Sequence, residues 1–249
     1  MKKLKKEFVF RNIISNVVIC IVLLVVVIGC FVGSNRETSC ASNSEYNGTI
    51  YAGDKQSKNV SLMINVYWGN SELESMLKIL EKHNIKTTFF IGGSWAIQNQ
   101  DLLKKIYNLG HEIASHGYSH KEHAKLSYQE NIVEIQKCHN IVKEILGVEM
   151  ELFAPPGGSY NSNTIKAATE LGYKTIMWTR DTIDWRDKNT ELIYSRAVSK
   201  MSGGDLILMH PTACTKDALE RVINYAEEHN FKLTTVSETL GLWKTKFLC

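Results

Sequence analysis

No two of the six cysteines stand in a Cys-x-x-Cys pair, and none falls in a dense cluster. That excludes a zinc ribbon and a disulfide-stapled small fold. One disulfide fits the composition, but the spacing names no partners. A large excess of charge of one sign is also lacking. The formal net charge is +3, and much of the excess lies in Lys2, Lys3, Lys5, Lys6 and Arg11, so no nucleic-acid face is implied. Nor does an Ala-x-Ala-like cleavage site end the long apolar run from Ile13 to Val32. With 44% apolar and 22% charged residues the chain reads as globular rather than disordered.

The apolar run itself is long enough to cross a bilayer, for which about twenty residues suffice. Basic residues before it belong on the cytoplasmic side and place the remainder outside. Three readings stand side by side: an uncleaved membrane anchor, a lipoprotein signal with Cys30 lipidated after Val27-Ile28-Gly29, and a buried helix. The anchor reading is preferred because of the flanking charge and the missing cleavage site. Residues 1–33 are thus read as basic stub and anchor or signal segment, 34–57 as a polar linker, and 58–249 as one domain.

Within 58–249 short apolar runs alternate with helical patterns. Strands are predicted at 60–66, 86–91, 112–115, 149–153, 174–178, 206–209 and 231–236. Helical faces lie between them, with capping boxes read at Ser71/Glu74 and Ser127/Glu130. Such alternation predicts a parallel α/β sheet with helices outside, and sites at the C-terminal ends of its strands. The unusual polar residues fall at those ends: Asn65, His116, the Pro155-Pro156-Gly157-Gly158 turn, Asp181 with Asp184, and His210. A structural role accounts for each singly and poorly for all of them together.

The run Ser115-His116-Gly117-Tyr118-Ser119-His120 offers two imidazoles to one metal ion. On spacing alone, a polar loop with two solvated histidines explains it equally well. His83, His111, His123, His139 and His229 read as solvated or capping residues.

Taken in order, these motifs resemble the NodB-homology polysaccharide deacetylases, over roughly Lys58 to the C-terminus. The resemblance implies a distorted (β/α)7 barrel. It also implies hydrolysis of the N-acetyl amide of amino sugars, in peptidoglycan or chitin-like glycan, on a divalent metal such as zinc. His116 and His120 match the family's metal-binding histidines. Asp181-Thr182-Ile183-Asp184-Trp185 matches its Asp-x-x-Asp-Trp motif, with Asp184 tuning the acid histidine and Trp185 walling the sugar site. Leu208-Met209-His210 matches its Leu-x-His motif, with Leu208 in the acetyl pocket and His210 as general acid. Trp68, Pro155 and Pro156 complete the implied substrate contacts, and Trp68-Gly69 resembles the sporulation-type subgroup.

Three positions depart from the pattern. Asn65 stands at the catalytic-base aspartate, Val66 at the metal-ligand aspartate, and Ala154 at the arginine that orients the base. An amide accepts no proton at working pH, and loss of a general base typically costs about 10²–10⁴ in rate. Val66 cannot ligate a metal, so the site is expected to hold one weakly. The implied function is a membrane-tethered N-deacetylase of reduced activity. The alternative is a non-catalytic glycan-binding or wall-assembly protein on the same fold.

Overall fold

The computed structural model describes residues 45–46 and 48–242. The membrane-anchor and Cys30 readings lie outside the described residues. Among the described residues no helix is long and apolar enough to cross a membrane.

Strand β1 (Glu45–Tyr46) and strand β2 (Thr49–Ile50) precede the central strand β3 (Asn59–Val66). Then come α1 (Asn70–Lys82), β4 (Thr88–Ile91), α2 (Gly93–Gln98), α3 (Gln100–Asn108) and β5 (Glu112–Ser115). Next are α4 (Tyr128–Leu146), β6 (Leu152–Phe153), α5 (Ser162–Glu170), β7 (Lys174–Ile176) and β8 (Arg180–Asp181). The chain continues with α6 (Thr190–Val198), β9 (Leu206–Met209), α7 (Ala213–Glu228), β10 (Lys232–Thr234) and α8 (Val236–Thr239).

The strands form one sheet in the order β1-β2-β7-β6-β5-β4-β3-β9-β8, with β10 also paired to β3. Every pairing is parallel except β1 with β2. The order ends at β1 and β8, so among the described residues the sheet is a half-barrel of parallel strands. Parallel strands covered on both faces read as continuous apolar runs, and in β3 every residue from Val60 to Val66 is buried. Leu62, Ile64 and Val66 pack with Leu73, Leu77, Leu103, Ile135 and Leu219 under the helices. Met63 packs on the other face with Phe90, Ala114, Ala154, Ile176 and Leu206. Each fully buried Leu, Ile or Phe contributes about 1.5–3 kcal/mol relative to exposure.

All the predicted strands are present, several with shorter bounds. The additional ones, β1, β2 and β8, have two residues each, too few for a periodic signal. They correct the linker reading. Thr49 and Ile50 pair with Thr175 and Ile176, and the Gly53 N–H donates to the Gly204 carbonyl at 2.8 Å. Residues 48–57 therefore belong to the domain, hidden by a polar composition in which only a short stretch is buried.

The Ser127/Glu130 capping box is present at the start of α4, and Gly147 closes that helix with φ 73°. The Ser71/Glu74 box is not: the N-cap of α1 is Gly69, and the Ser71 hydroxyl bonds Glu72 instead. Among the described residues Cys138 and Cys214 are free thiols.

His111 and His123 are also corrected, because both are buried. His111 Nδ1 accepts the Thr87 N–H at 3.3 Å, and its ring stands edge-on to Phe89. Its Nε2 is buried without a partner. Burial, aided by the Lys86 charge, pushes its pKa down to about 4 from 6.5. Between those values the unfolded chain binds a proton that the folded chain refuses, so stability falls as pH drops through the window. A His111→Leu variant is expected to lose stability less steeply than wild type from pH 6.5 to pH 4, read as urea midpoints. Equal slopes would show that His111 does not contribute.

Candidate active site

The C-terminal ends of β3, β5, β6, β8 and β9 bring the polar residues together. Successive strand residues alternate faces. Val66 joins the helix-side core and is 0% exposed, while Asn65 shares the inner face with Met63. Asn65 is 4% exposed, and its Oδ1 has no hydrogen-bond partner.

His116 and His120 follow β5. The His116 N–H donates to the Ile91 carbonyl at 2.9 Å, which extends the sheet register into the loop. Its Nδ1 lies 2.8 Å from the Ala154 carbonyl. A carbonyl only accepts, so Nδ1 carries the proton and Nε2 keeps its lone pair. The two imidazole rings meet edge to face at 5.1 Å. Burial first, then the neighbouring His120, holds the His116 pKa well below the usual histidine range. Gly117 is required between them: its φ is 71°, and a Cβ there would lie 2.9 Å from His123 Nε2.

Glu134 of α4 holds the same loop. It accepts from the Tyr118 N–H at 3.2 Å, the Ser119 N–H at 2.8 Å and the Ser119 hydroxyl at 2.6 Å. Lys121 Nζ approaches it at 3.1 Å. Burial pushes this carboxyl up, but those donors outweigh burial and keep it below the usual range. A Glu134→Ala variant leaves several donors without an acceptor and is expected to lose about 2 kcal/mol by urea unfolding. A loss within error of zero would show that the loop holds itself.

The acid couple lies across the inner face. His210 Nδ1 meets Asp184 Oδ1 at 2.7 Å, and the His210 N–H donates to Asp184 Oδ2 at 2.6 Å. The Thr215 hydroxyl donates to the same Oδ2 at 2.6 Å. Asp184 accepts three hydrogen bonds, fixes the imidazole orientation and leaves His210 Nε2 as the working nitrogen. Trp68 stacks over the His210 ring at 6.0 Å between centroids and 9° between planes. Gly69 permits this approach: its φ is 83°, and a Cβ would lie 2.2 Å from the Pro211 carbonyl oxygen. Ile183, a β-branched residue at φ 54°, turns the chain just before Asp184.

His116 Nε2 has the orientation of a metal-ligating imidazole whose other nitrogen is engaged. The remainder of the donor set fails. Among the described residues no group of three or more His, Cys, Asp or Glu could hold a metal ion. Two imidazoles, with Val66 packed in the helix-side core, fall short of the three protein ligands of a catalytic zinc site.

A polysaccharide deacetylase family model matches residues 52–176. The chain belongs to the polysaccharide deacetylase family. It is 40% identical over 191 residues to YlxY of Bacillus subtilis, an uncharacterized protein, covering 77% of this chain and 60% of that one. It is 30% identical over 188 residues to PgdA of Listeria monocytogenes, a peptidoglycan-N-acetylglucosamine deacetylase, covering 75% of this chain and 40% of that one. The chain thus spans less than two thirds of the length of these relatives. Among solved structures, a CE4 family pseudoenzyme from Bacillus anthracis is 36% identical, with 79% of this chain and 70% of that chain covered and a TM-score of 0.76. A mutant of that pseudoenzyme described as having restored enzymatic activity matches at 34% identity, with 79% and 72% covered and the same TM-score of 0.76.

Against this deacetylase pattern, the predicted residues divide. His116, His120, Asp184 and His210 lie at the strand ends in mutually oriented pairs. Trp68 and Trp185 are exposed, at 43% and 57%, whereas Pro155, Pro156 and Leu208 are buried. Thr215 and Glu134 were not read from sequence, whereas Tyr67 reads there as an aromatic residue able to stack on a sugar face. Thr212-x-x-Thr215 did carry a signal, since Thr212 caps α7 by accepting the Thr215 N–H. Tyr67 packs on His120 with 5.0 Å between ring centroids and is held by the Ser94 hydroxyl.

Proposed function

We propose that the domain takes up N-acetylated cell-wall glycan of the peptidoglycan type, at the strand ends beside Trp68 and Trp185, and acts on its acetamide as an N-deacetylase of strongly reduced rate. One asymmetry carries this reading: the acid half of the site is fully hydrogen-bonded, and the base half holds Asn65 and Val66. His210, oriented by Asp184, has the geometry to protonate a leaving amine. Asn65 cannot remove a proton from water, and the expected rate deficit is about 10²–10⁴. His116 and His120 are expected to bind a divalent cation such as zinc only weakly. The Ile13–Val32 run would tether the domain outside the cell membrane. The peptidoglycan class is supported by the similarity to PgdA.

Non-catalytic glycan binding is the second reading. It is favoured by the full burial of Val66 in the helix-side core and by likeness to the pseudoenzyme. Full-length protein should be assayed for bound metal, glycan binding and acetate release with N-acetylglucosamine oligomers and peptidoglycan. Slow release supports the first reading. Saturable binding without release supports the second. Absence of both overturns the glycan reading altogether.

A further inference from the structure

Among the described residues the large apolar side chains left exposed are Trp68, Ile97, Tyr107, Val133, Trp185 and Leu192. The two tryptophans belong to the candidate site. Ile97, Tyr107 and Val133 lie on α2, α3 and α4, three helices packed on one another. Between these helices runs a groove of about 400 Å³. One wall is Ile97, Gln100 and Lys104, and the other is Ile141, Glu144 and Ile145 of α4. Tyr107 follows Lys104 by three residues and so shares its side of α3. The walls run in step. A Cβ on Gly93 would lie 3.0 Å from the Cys138 Cα, and Ile97 and Ile141 come about one turn further along each helix. Charge is balanced across the groove. Lys104 and Glu144 line opposite walls, yet neither is in an ion pair among the described residues, whereas the adjacent Lys143 pairs with Glu149. An exposed apolar patch rimmed by polar residues marks an interaction surface. Helix α4 leads from the C-terminal end of β5 back to the start of β6. The groove lies in its last turns, toward the opposite end of the sheet from the candidate site.

We propose that this face is a self-association surface, on which a second copy of the chain docks about a two-fold axis running along the groove. Such an axis lays the α2–α3 wall of each copy on the α4 wall of the other, as an isologous contact requires. Ile97 then meets the partner's Ile141, and Lys104 meets the partner's Glu144, each contact occurring twice. One lysine and one glutamate on opposite walls are self-complementary in this arrangement. A uniformly acidic or basic partner would leave one of them facing its own sign. The dimer leaves the strand ends open, so the proposal stands apart from the glycan reading.

The test is sedimentation equilibrium of the full-length protein in a mild detergent. Wild type is expected to be dimeric. Lys104→Glu sets glutamate against glutamate at both contacts, and Glu144→Lys sets lysine against lysine. Each should weaken the dimer at least about tenfold. An equimolar mixture of the two variants should restore it, because both pairs in the mixed dimer are again of opposite sign. A misfolded variant cannot produce that recovery, and both positions are exposed, so melting temperatures should hold. Ile97→Asp should abolish the dimer by placing a charge in its apolar contact. A monomeric wild type overturns the proposal and leaves the groove to a partner of another kind. A dimer that none of the three substitutions weakens also overturns it, and assigns association to a different surface, the Ile13–Val32 run included. Weakening without recovery in the mixture overturns the two-fold pairing.

Discussion

Restoring three side chains together, Asn65→Asp, Val66→Asp and Ala154→Arg, is expected to raise acetate release from N-acetylglucosamine oligomers by about 10²–10⁴ over wild type. The acid couple needs no repair, since His210, Asp184 and Thr215 are already hydrogen-bonded. A carboxylate at 65 supplies a proton acceptor on the inner face, and one at 66 restores the residue type that the resemblance assigns to the third metal ligand. Arginine at 154 supplies countercharge to the new Asp on the face it shares with Asn65. Single replacements should do little. Asn65→Asp alone places a buried charge without a partner, and Ala154→Arg alone does the same with the opposite sign. Val66→Asp alone buries a carboxylate at a 0% exposed position, which is expected to destabilise by about 3–5 kcal/mol unless a cation is bound. A triple variant that binds metal and glycan but releases acetate no faster than wild type would show that the three positions do not limit the chemistry.

Asp184→Ala is expected to lower stability by about 3 kcal/mol by urea unfolding. The removed carboxylate leaves the His210 N–H, the His210 imidazole and the Thr215 hydroxyl without their acceptor, at a side chain that is 0% exposed. Thr215→Val removes a single donor and should cost about 1 kcal/mol. The ratio of the two losses is the informative quantity, because it separates a shared acceptor from three independent contacts. A loss for Asp184→Ala no larger than that for Thr215→Val would show that water replaces the carboxylate and that the couple is not held by Asp184. Any acetate release found for the wild type should disappear in the same variant, since His210 would lose its orientation.

Much of the fold was legible because its strands are covered on both faces. Continuous apolar runs such as Val60–Val66 have few alternatives to a central parallel strand. The Ser127/Glu130 box and Gly147 marked both ends of α4 for reasons local to the chain. Where local chemistry was ambiguous, the reading slipped. Ser71 found Glu72 rather than a backbone donor, because Gly69 had already turned the chain into the helix beside Pro211. Strands β1, β2 and β8 left no sequence signal because two residues each are defined only by pairing, β2 with β1 and β7, and β8 with β9. His111 and His123 looked like surface residues because nothing in their sequence neighbours reports burial.

The candidate site divides in the same manner. Residue identity alone determined that Asn65 cannot act as a base, that Val66 cannot ligate, and that the histidine and acid motifs survive. Those conclusions depend on functional-group chemistry, which needs no coordinates. Tertiary structure decided which groups meet. Asp184 and Thr215 lie 31 residues apart in sequence and share a hydrogen bond, and Glu134 reaches back to the loop that carries His120. It also decided that Val66 belongs to the helix-side core while Asn65 lies on the inner face with an unpaired oxygen. Strand alternation sends adjacent residues to opposite environments, and only the packed sheet shows which environment each one enters.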